Sequence, residues 1–299
     1  MYNSFMMGSL ANLTPGGDPD PDPDPTFFLD DYSQALLHFS FRKMRTGQTV
    51  CYRISRDDLD ELDLGFDPVT GSVDMAAALD FCGSGGGSIV NWYGAGMGGY
   101  VATQNTKSQQ PLVVISGAYV TRNGKPSAYY NGSTMHMNIA DDVSLRQTRD
   151  YSLFAVAEKS DTSSGTFFAK SSGTSSGNSM YVLDSANAAL RFVAWEAAGT
   201  ARVCSASGRR ADVLELHEGH HIPGSPAVLQ RWRDGELLAT TNTTDPLFSN
   251  SVPLQIGVRG TTARYAGYIS EIQIANTHTT TFNEAYRSNV ADYYSITMV

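Results

Sequence analysis

The stretch Val252–Asn276, VPLQIGVRGTTARYAGYISEIQIAN, constrains the fold of this chain more than any other. Leu254, Ile256 and Val258 alternate with other residues, a Gly-Thr-Thr-Ala-Arg loop follows, and Tyr268–Ile274 then keeps period 2. That period belongs to a strand whose two faces meet different surroundings. It predicts Ile269 and Glu271 on one face and Tyr268, Ser270, Ile272 and Ile274 on the other. Upstream, Leu229–Ala239 places Asp234-Gly235 between two patterned arms, the positive-φ pair of a tight hairpin. Strands and hairpins of this kind predict an all-β chain.

A sandwich is compatible with 299 residues, of which 41% are hydrophobic and 28 are glycine: enough for a sizeable core and many turns. The net charge of -9 leaves no basic stripe to neutralise phosphates, which argues against nucleic acid as a partner. Three cysteines, Cys51, Cys82 and Cys204, are too few for a disulfide framework. Three buried thiols are expected, with a Cys51–Cys82 bridge as the alternative. The first residues carry neither a basic n-region nor an apolar h-region, and nothing reaches the length of a membrane span. Synthesis and folding in a reducing cytoplasm, without a signal peptide, are therefore expected.

Five segments in order resemble the laminin-G/concanavalin A-like family: Tyr151–Ala157, Gly165–Lys170, Ser179–Asp184 with Ala189–Val193, the Asp234-Gly235 hairpin, and Val252–Asn276. The resemblance covers roughly half the chain and implies a two-sheet jelly roll. A second resemblance covers Ala35–Gln104, whose "AL-SFRKMR-G…RISR…FCG…NWY…ATQ" is similar to the opening of the arabinofuranosidase B catalytic domain and of proteins that look like phage virion components. It departs at Gly94, where the family's "WYDQSGNG" has Asp. Asn123–Gly132 then resembles the strand joining the two halves, so one sandwich over 27–299 is expected. Some laminin-G-like members hold Ca²⁺ in rim loops, but no Asp/Asn cluster at a recognisable spacing points to one here.

Between these motifs, Tyr32–Arg45 reads as a helix or extended arm, and Thr49–Ser55 and Ile89–Tyr93 read as strands. Asp57–Asp63 reads as acidic and solvated, and Asp74–Cys82 as a short helix. Thr281-Phe-Asn-Glu284 is a capping-box pattern opening a helix to about Tyr294, with Phe282, Tyr286 and Val290 on the packed face. Before Phe27 lie a peptide, residues 1–17, with an apolar content (Tyr2, Phe5, Met6, Met7, Leu10), and four Asp-Pro repeats, Asp18–Pro25. Each proline fixes φ and biases its predecessor to extended geometry, and like charges repel, so residues 18–26 read as a stiff spacer behind an anchor peptide.

His217-Glu-Gly-His-His221 matches H-E-x-x-H, a zinc motif when both histidines lie one turn apart on a helix. Gly219 inside it and Pro223-Gly-Ser-Pro226 after it oppose a helix, so the expectation is a polar loop with His217 and Glu218 solvated, and no metal. A glycosidase needs two carboxylates across the scissile bond. The arabinofuranosidase B resemblance implies Glu196, in Val193-Ala-Trp-Glu196, at the nucleophile's place, but the equivalent of its acid-bearing stretch, Gly257–Arg264, holds no carboxylate. The vicinal cysteines of that family's sugar site are missing too. Glu196 then reads as a surface residue at a strand end, and no catalytic residue is assigned.

Sugar binding wants exposed aromatics beside hydrogen-bonding groups. The candidates are Trp195 with Glu196, Trp92 with Tyr93, and, more weakly, Trp232; Trp92 and Trp232 lie in apolar strand patterns that also suit a core. The expected function is a phage virion structural protein, a head fibre, capsid decoration or tail-associated protein. It would be docked on capsid or other virion proteins through residues 1–17 and would display a jelly roll that adheres to host-surface glycan or protein. By analogy it would be a homotrimer at the virion surface, needing no cofactor. A non-virion carbohydrate-binding module and an arabinofuranosidase-like hydrolase are the alternatives.

Overall fold

The computed structural model describes residues 27–148, 150–160, 164–171, 179–186, 189–196, 200–208, 210–244 and 247–299. The anchor peptide and the Asp-Pro spacer lie outside them. The first strands are β1 (Ala35–Ser40), β2 (Tyr52–Arg56), β3 (Glu61–Leu64), β4 (Gly87–Tyr93), β5 (Val101–Thr103), β6 (Leu112–Ile115) and β7 (Ala118–Tyr119). The short hairpin β8 (Thr121–Arg122)–β9 (Lys125–Pro126) leads to β10 (Ala128–Asn131) and β11 (Met137–Ile139). Longer strands follow: β12 (Tyr151–Lys159), β13 (Gly165–Ser171), β14 (Ser179–Ala186), β15 (Ala189–Trp195), β16 (Ala201–Ala206) and β17 (Leu214–Ile222). The last are β18 (Ala227–Arg233), β19 (Glu236–Thr243), β20 (Leu254–Ile256) and β21 (Ala266–Ala275). Among the described residues three α-helices interrupt them, α1 (Phe28–Asp31), α2 (Met75–Cys82) and α3 (Thr280–Tyr294). None is long and apolar enough to cross a membrane.

All pairings are antiparallel. The first sheet runs β19-β18-β17-β12-β21, and the far edge of β21 pairs with β10 at its start and β1 at its end. The second sheet runs β16-β15-β14-β13-β20-β11-β5. β4 pairs with β2, β5 and β6, and β6 in turn with β10, so a small sheet joins the two at one side. The inner faces meet in one core that extends from Leu36 to Ile274 and includes Trp92, Tyr151, Phe167, Phe192 and Ile272. This is the β-sandwich jelly roll that the strand periodicity and the family resemblance imply.

The turn chemistry follows the sequence. Asp234 and Gly235 take φ of 48° and 81°, as a two-residue hairpin requires. Asp74 caps α2 by accepting from the Ala77 amide at 2.9 Å. All three cysteines are buried and free, which removes the Cys51–Cys82 alternative.

Several expectations are corrected. Tyr32–Arg45 yields strand β1, where the helix alternative fails because Ala35–Ser40 is buried on both faces. In β21, Ile269 joins Ile272 and Ile274 in the core rather than sharing a face with Glu271. The reason is a bulge: Val156 pairs with Glu271 and Ala157 with Ile269, so Ser270 is the extra residue and the alternation slips by one. Helix α3 starts at Thr280, because Thr279, not Thr281, accepts from the Phe282 amide (3.3 Å). Asp150 fixes the approach by accepting from Thr277 Oγ1 at 2.8 Å. The predicted face is right: Phe282, Tyr286, Val290 and Tyr294 pack on Phe154, Val156, Leu214 and Leu216 of the first sheet.

The His217–His221 segment is no polar loop. It forms the middle of β17, and all five residues are buried. Alternation sends His217, Gly219 and His221 into the sandwich and Glu218 and His220 outward under α3. The His217 ring stacks on Phe167 (centroids 4.4 Å apart) and its Nδ1 accepts from Arg231 Nη2 at 3.0 Å. Glu218 accepts from both Nε and Nη2 of Arg287. Four residues of strand separate the two inward histidines by roughly 13 Å, too far for one metal.

Candidate functional site

The second sheet turns an outer face away from the core, and the ends of β14, β15 and the Gly257–Arg264 loop converge there. Ala169, Val182, Val193 and Trp195 make its apolar floor, with Phe248 packed against it. The Phe248 amide donates to the Trp195 carbonyl at 2.7 Å, which clamps the end of β15. The Arg259 guanidinium lies 4.9 Å from the Trp195 ring centroid, a cation–π geometry, and its Nε reaches Ser171 Oγ at 3.4 Å. Burial lowers the Arg259 pKa, with Asp184 pulling the other way.

Arg191 fringes this face, whereas Arg202 and Glu196 lie on the inner side of β16 and β15, opposite Ala194 and Leu247 of the core. Arg191 and Asp184 are opposed across the β14–β15 ladder and form a fork, Nε to Oδ1 at 2.8 Å and Nη2 to Oδ2 at 2.7 Å. Asp184 is buried, while the Arg191 side chain is partly exposed. Arg202 Nε donates to Glu196 Oε1 at 2.8 Å, and the Thr244 amide donates to the same oxygen at 3.1 Å. These bonds, Arg202 first, hold the Glu196 carboxyl below the usual carboxylate range. Glu196 is thus not the surface residue expected at the strand end: only 7% of it is exposed.

The four aromatic and acidic candidates do not come together. Trp195 belongs to this face, sealed beneath Arg259 and Phe248, whereas Glu196, next along β15, turns to the inner side, opposite Leu247 of the core and within reach of Thr243 on the first sheet. Trp92 points into the core, stacked on Phe41 at 4.7 Å and donating from its indole nitrogen to the Ser40 carbonyl at 3.3 Å. It is fully buried and offers no platform for a ligand. Tyr93, next along β4, points the other way and donates to Asp63 at 3.1 Å. Trp232 is half-buried under Arg287, 4.3 Å from its ring, on the first sheet.

The arrangement bears directly on hydrolysis. Asp184 lies on the second sheet's outer face, and its strand partner Arg191 stands five positions from Glu196 along β15, an odd number that also puts the two acids on opposite faces. That places the two acids roughly 16 Å apart along the strand direction. Paired glycosidase carboxyls stand about 5–9.5 Å apart. The Gly257–Arg264 loop places Arg259 over Trp195, and its Arg264 donates to the Thr134 carbonyl at 3.0 Å. Among the described residues, no group of three or more His, Cys, Asp or Glu is placed to hold a metal ion.

Reading the residues alone missed the three arginines. The signal was present: Asp184 and Arg191 sit symmetrically about a hairpin turn, and Arg259 stands in the loop that was noticed just for lacking an acid. No family profile and no curated protein matches this sequence. Solved structures do. An arabinofuranosidase complexed with arabinofuranosyl-α-1,2-xylobiose superposes with a TM-score of 0.62 over 86% of this chain at 13% identity. A GH54 α-L-arabinofuranosidase soaked with a cyclic sulfate inhibitor gives 0.60 over 86% at 12% identity. This chain spans 62% of the length of both. The binding domain of Paraclostridial Mosquitocidal Protein 1 gives 0.50 at 8% identity, covering 68% of this chain and 49% of that one. At such identities the likeness establishes a shared β-sandwich fold.

Proposed function

We propose that this chain is a glycan-binding β-sandwich, and that the arginine-fringed face of the second sheet holds the sugar. The observation carrying this reading is the Arg259 guanidinium held over Trp195 on the same outer face as the Asp184–Arg191 pair. Guanidinium groups pre-set in this way donate to sugar hydroxyls and carboxylates with little further ordering. The wide separation of the two acids favours binding over bond cleavage. A glycan array followed by calorimetry tests the reading, with Arg259→Ala expected to abolish binding of whatever the array returns. Retained affinity in that variant overturns it. An assay on an aryl arabinofuranoside, with Glu196→Gln as control, tests the hydrolase alternative; turnover that vanishes in the variant would establish that alternative.

The setting we propose for this binding is the surface of a phage particle. What favours it is the order of segments in the sequence: apolar peptide, four Asp-Pro repeats, then the sandwich. In this reading residues 1–17 dock on capsid or other virion proteins, Asp18–Pro25 holds the head at a distance, and the head is a homotrimer by analogy. Comparing the full chain with a chain starting at Phe27 for rebinding to particles decides the point. Equal rebinding by both removes the anchor.

A further inference from the structure

The outer face of the first sheet carries a second arrangement, beyond the C-terminal end of α3. Directly opposed residues on four neighbouring strands form a row: Tyr129 of β10, Tyr268 of β21, Glu158 of β12 and Leu214 of β17. Opposed residues of paired strands project to the same side. The two tyrosine rings stand 5.3 Å apart, and the Arg122 guanidinium lies 3.0 Å from the Tyr268 centroid. Arg122 Nε donates to Glu158 Oε1 at 2.6 Å. Past Glu158 the row opens into a cleft of about 290 Å³, lined among others by Asn123, Glu158, Arg210, Asp212, Asp234 and Ile296.

The polar groups of this cleft are unequally satisfied. Arg210 is held by Glu215 and Asp234, and Asp234 also accepts from the Leu216 amide at 2.8 Å. Glu158 is 8% exposed, yet Arg122 reaches just one of its oxygens, and among the described residues Oε2 accepts no hydrogen bond. Burial pushes its carboxyl above the usual range, against the pull of Arg122. Asp212, in a left-handed conformation (φ 55°), is fixed by its amide donating to the Lys159 carbonyl at 2.8 Å, and its carboxylate also lacks a described partner. Glu158 therefore turns an oxygen with no described donor toward an open cleft, where a ligand hydroxyl can supply one.

We propose that this cleft binds one unit of a neutral saccharide. Hydroxyl groups of the sugar donate to Glu158 Oε2 and to Asp212 and accept from Arg210, while a less polar edge lies against Ile296. Charge selects the class: Arg122, Arg210 and Arg233 balance Glu158, Asp234 and Glu215, so the surplus Asp212 repels an anionic sugar. The volume is at the low end for pockets that enclose small molecules, which suits a single ring. The site lies on the opposite sheet from Arg259 and Trp195, so it stands or falls independently of the face proposed above.

The test is a nuclear magnetic resonance titration of the ¹⁵N-labelled full chain with methyl glycosides of glucose, galactose, mannose and arabinose, and with glucuronate and glucosamine as charged controls. At least one neutral glycoside is expected to shift the amides of Asn123, Glu158, Asp212 and Ser295–Thr297. Glu158→Gln should weaken that binding roughly tenfold or more, as expected for a lost hydrogen bond to a charged group. Asp212→Asn, an exposed change that keeps the left-handed backbone tolerable, should weaken it while leaving the melting temperature unchanged. Arg259→Ala should leave these shifts untouched. The proposal is overturned if no neutral glycoside moves these amides, if glucosamine alone does, or if both cleft variants bind as the parent does.

Discussion

Arg42 and Glu271 lie 229 residues apart in sequence and meet in a bidentate pair, Nε to Oε2 and Nη2 to Oε1, both at 3.0 Å. The same carboxylate accepts from Ser40 Oγ (2.9 Å), Tyr286 Oη (2.8 Å) and Tyr294 Oη (3.0 Å), and faces His38 Nε2 at 3.2 Å. Strands β1 and β21 and helix α3 are therefore tied around one fully buried charge. Burying an ion costs several kcal/mol, and saturation of both oxygens is what offsets that cost.

Removing one partner from such a pair leaves the rest without compensation. Glu271→Gln is expected to lower unfolding stability by about 3–5 kcal/mol in urea denaturation. The double variant Arg42→Met/Glu271→Leu, which removes both charges, should recover much of the loss. A single-variant effect below about 1 kcal/mol would show that the network is not what secures α3.

This network also shows where the sequence stops being legible. Period 2 in Tyr268–Ile274 located the strand, and the i, i+4, i+8 spacing of Phe282, Tyr286 and Val290 located the helix face, because both signals are local. The bulge at Ser270 was invisible, since it is set by how β12 pairs with β21 rather than by β21 alone. The same limit hid the role of Glu271, read as one residue of an alternating strand and found to be the centre of a cluster drawn from three elements. At the candidate site, Trp195 and Glu196 were found by motif, but their partners Arg259 and Arg202 were not. Each lies across a ladder or loop whose register no single segment specifies.

Trp92 was a candidate for ligand contact, and its geometry now predicts a purely structural effect. It fills the space between Phe39 and Phe41 in the core. Trp92→Ala should cost about 3–5 kcal/mol of stability. Any glycan affinity should be unchanged below the variant's melting temperature; calorimetry that shows a specific affinity loss in the folded variant would contradict this.

Acid should loosen the helix-covered face in two stages. His278 packs 5.0 Å from His220, and burial, reinforced by His220, pushes its pKa down to about 4. The unfolded histidine protonates first, near 6.5, so this contribution is complete above that pH and is lost as pH falls from 6.5 to 4. Burial opposes the charge on Glu271, but Arg42 and His38 hold its carboxyl well below the usual range. Its contribution is complete above about pH 4.5 and lost only below. Melting temperatures between pH 8 and 3 should therefore be flat, then fall in both windows. His278→Gln should flatten part of the upper decline and leave the lower one in place; an unchanged profile in that variant would remove His278 from the account.

Gly219, which looked like a defect in a metal motif, has a packing reason instead. A Cβ at this position would stand 2.8 Å from Phe192 Cγ, because the ring from the second sheet rests directly on the β17 backbone. The backbone here is ordinary strand, so the demand is for space and not for a positive φ. Gly219→Ala should cost about 1–3 kcal/mol through overpacking, read from the denaturation midpoint. Trimming the obstructing ring should help, so Gly219→Ala combined with Phe192→Leu is expected to be less destabilised than the two single changes added together. Strict additivity would mean that the ring and the glycine do not press on one another. The same close approach explains how an H-E-x-x-H string comes to lie in a strand: β-pairing and the neighbouring ring, not helix propensity, decide the conformation at that position.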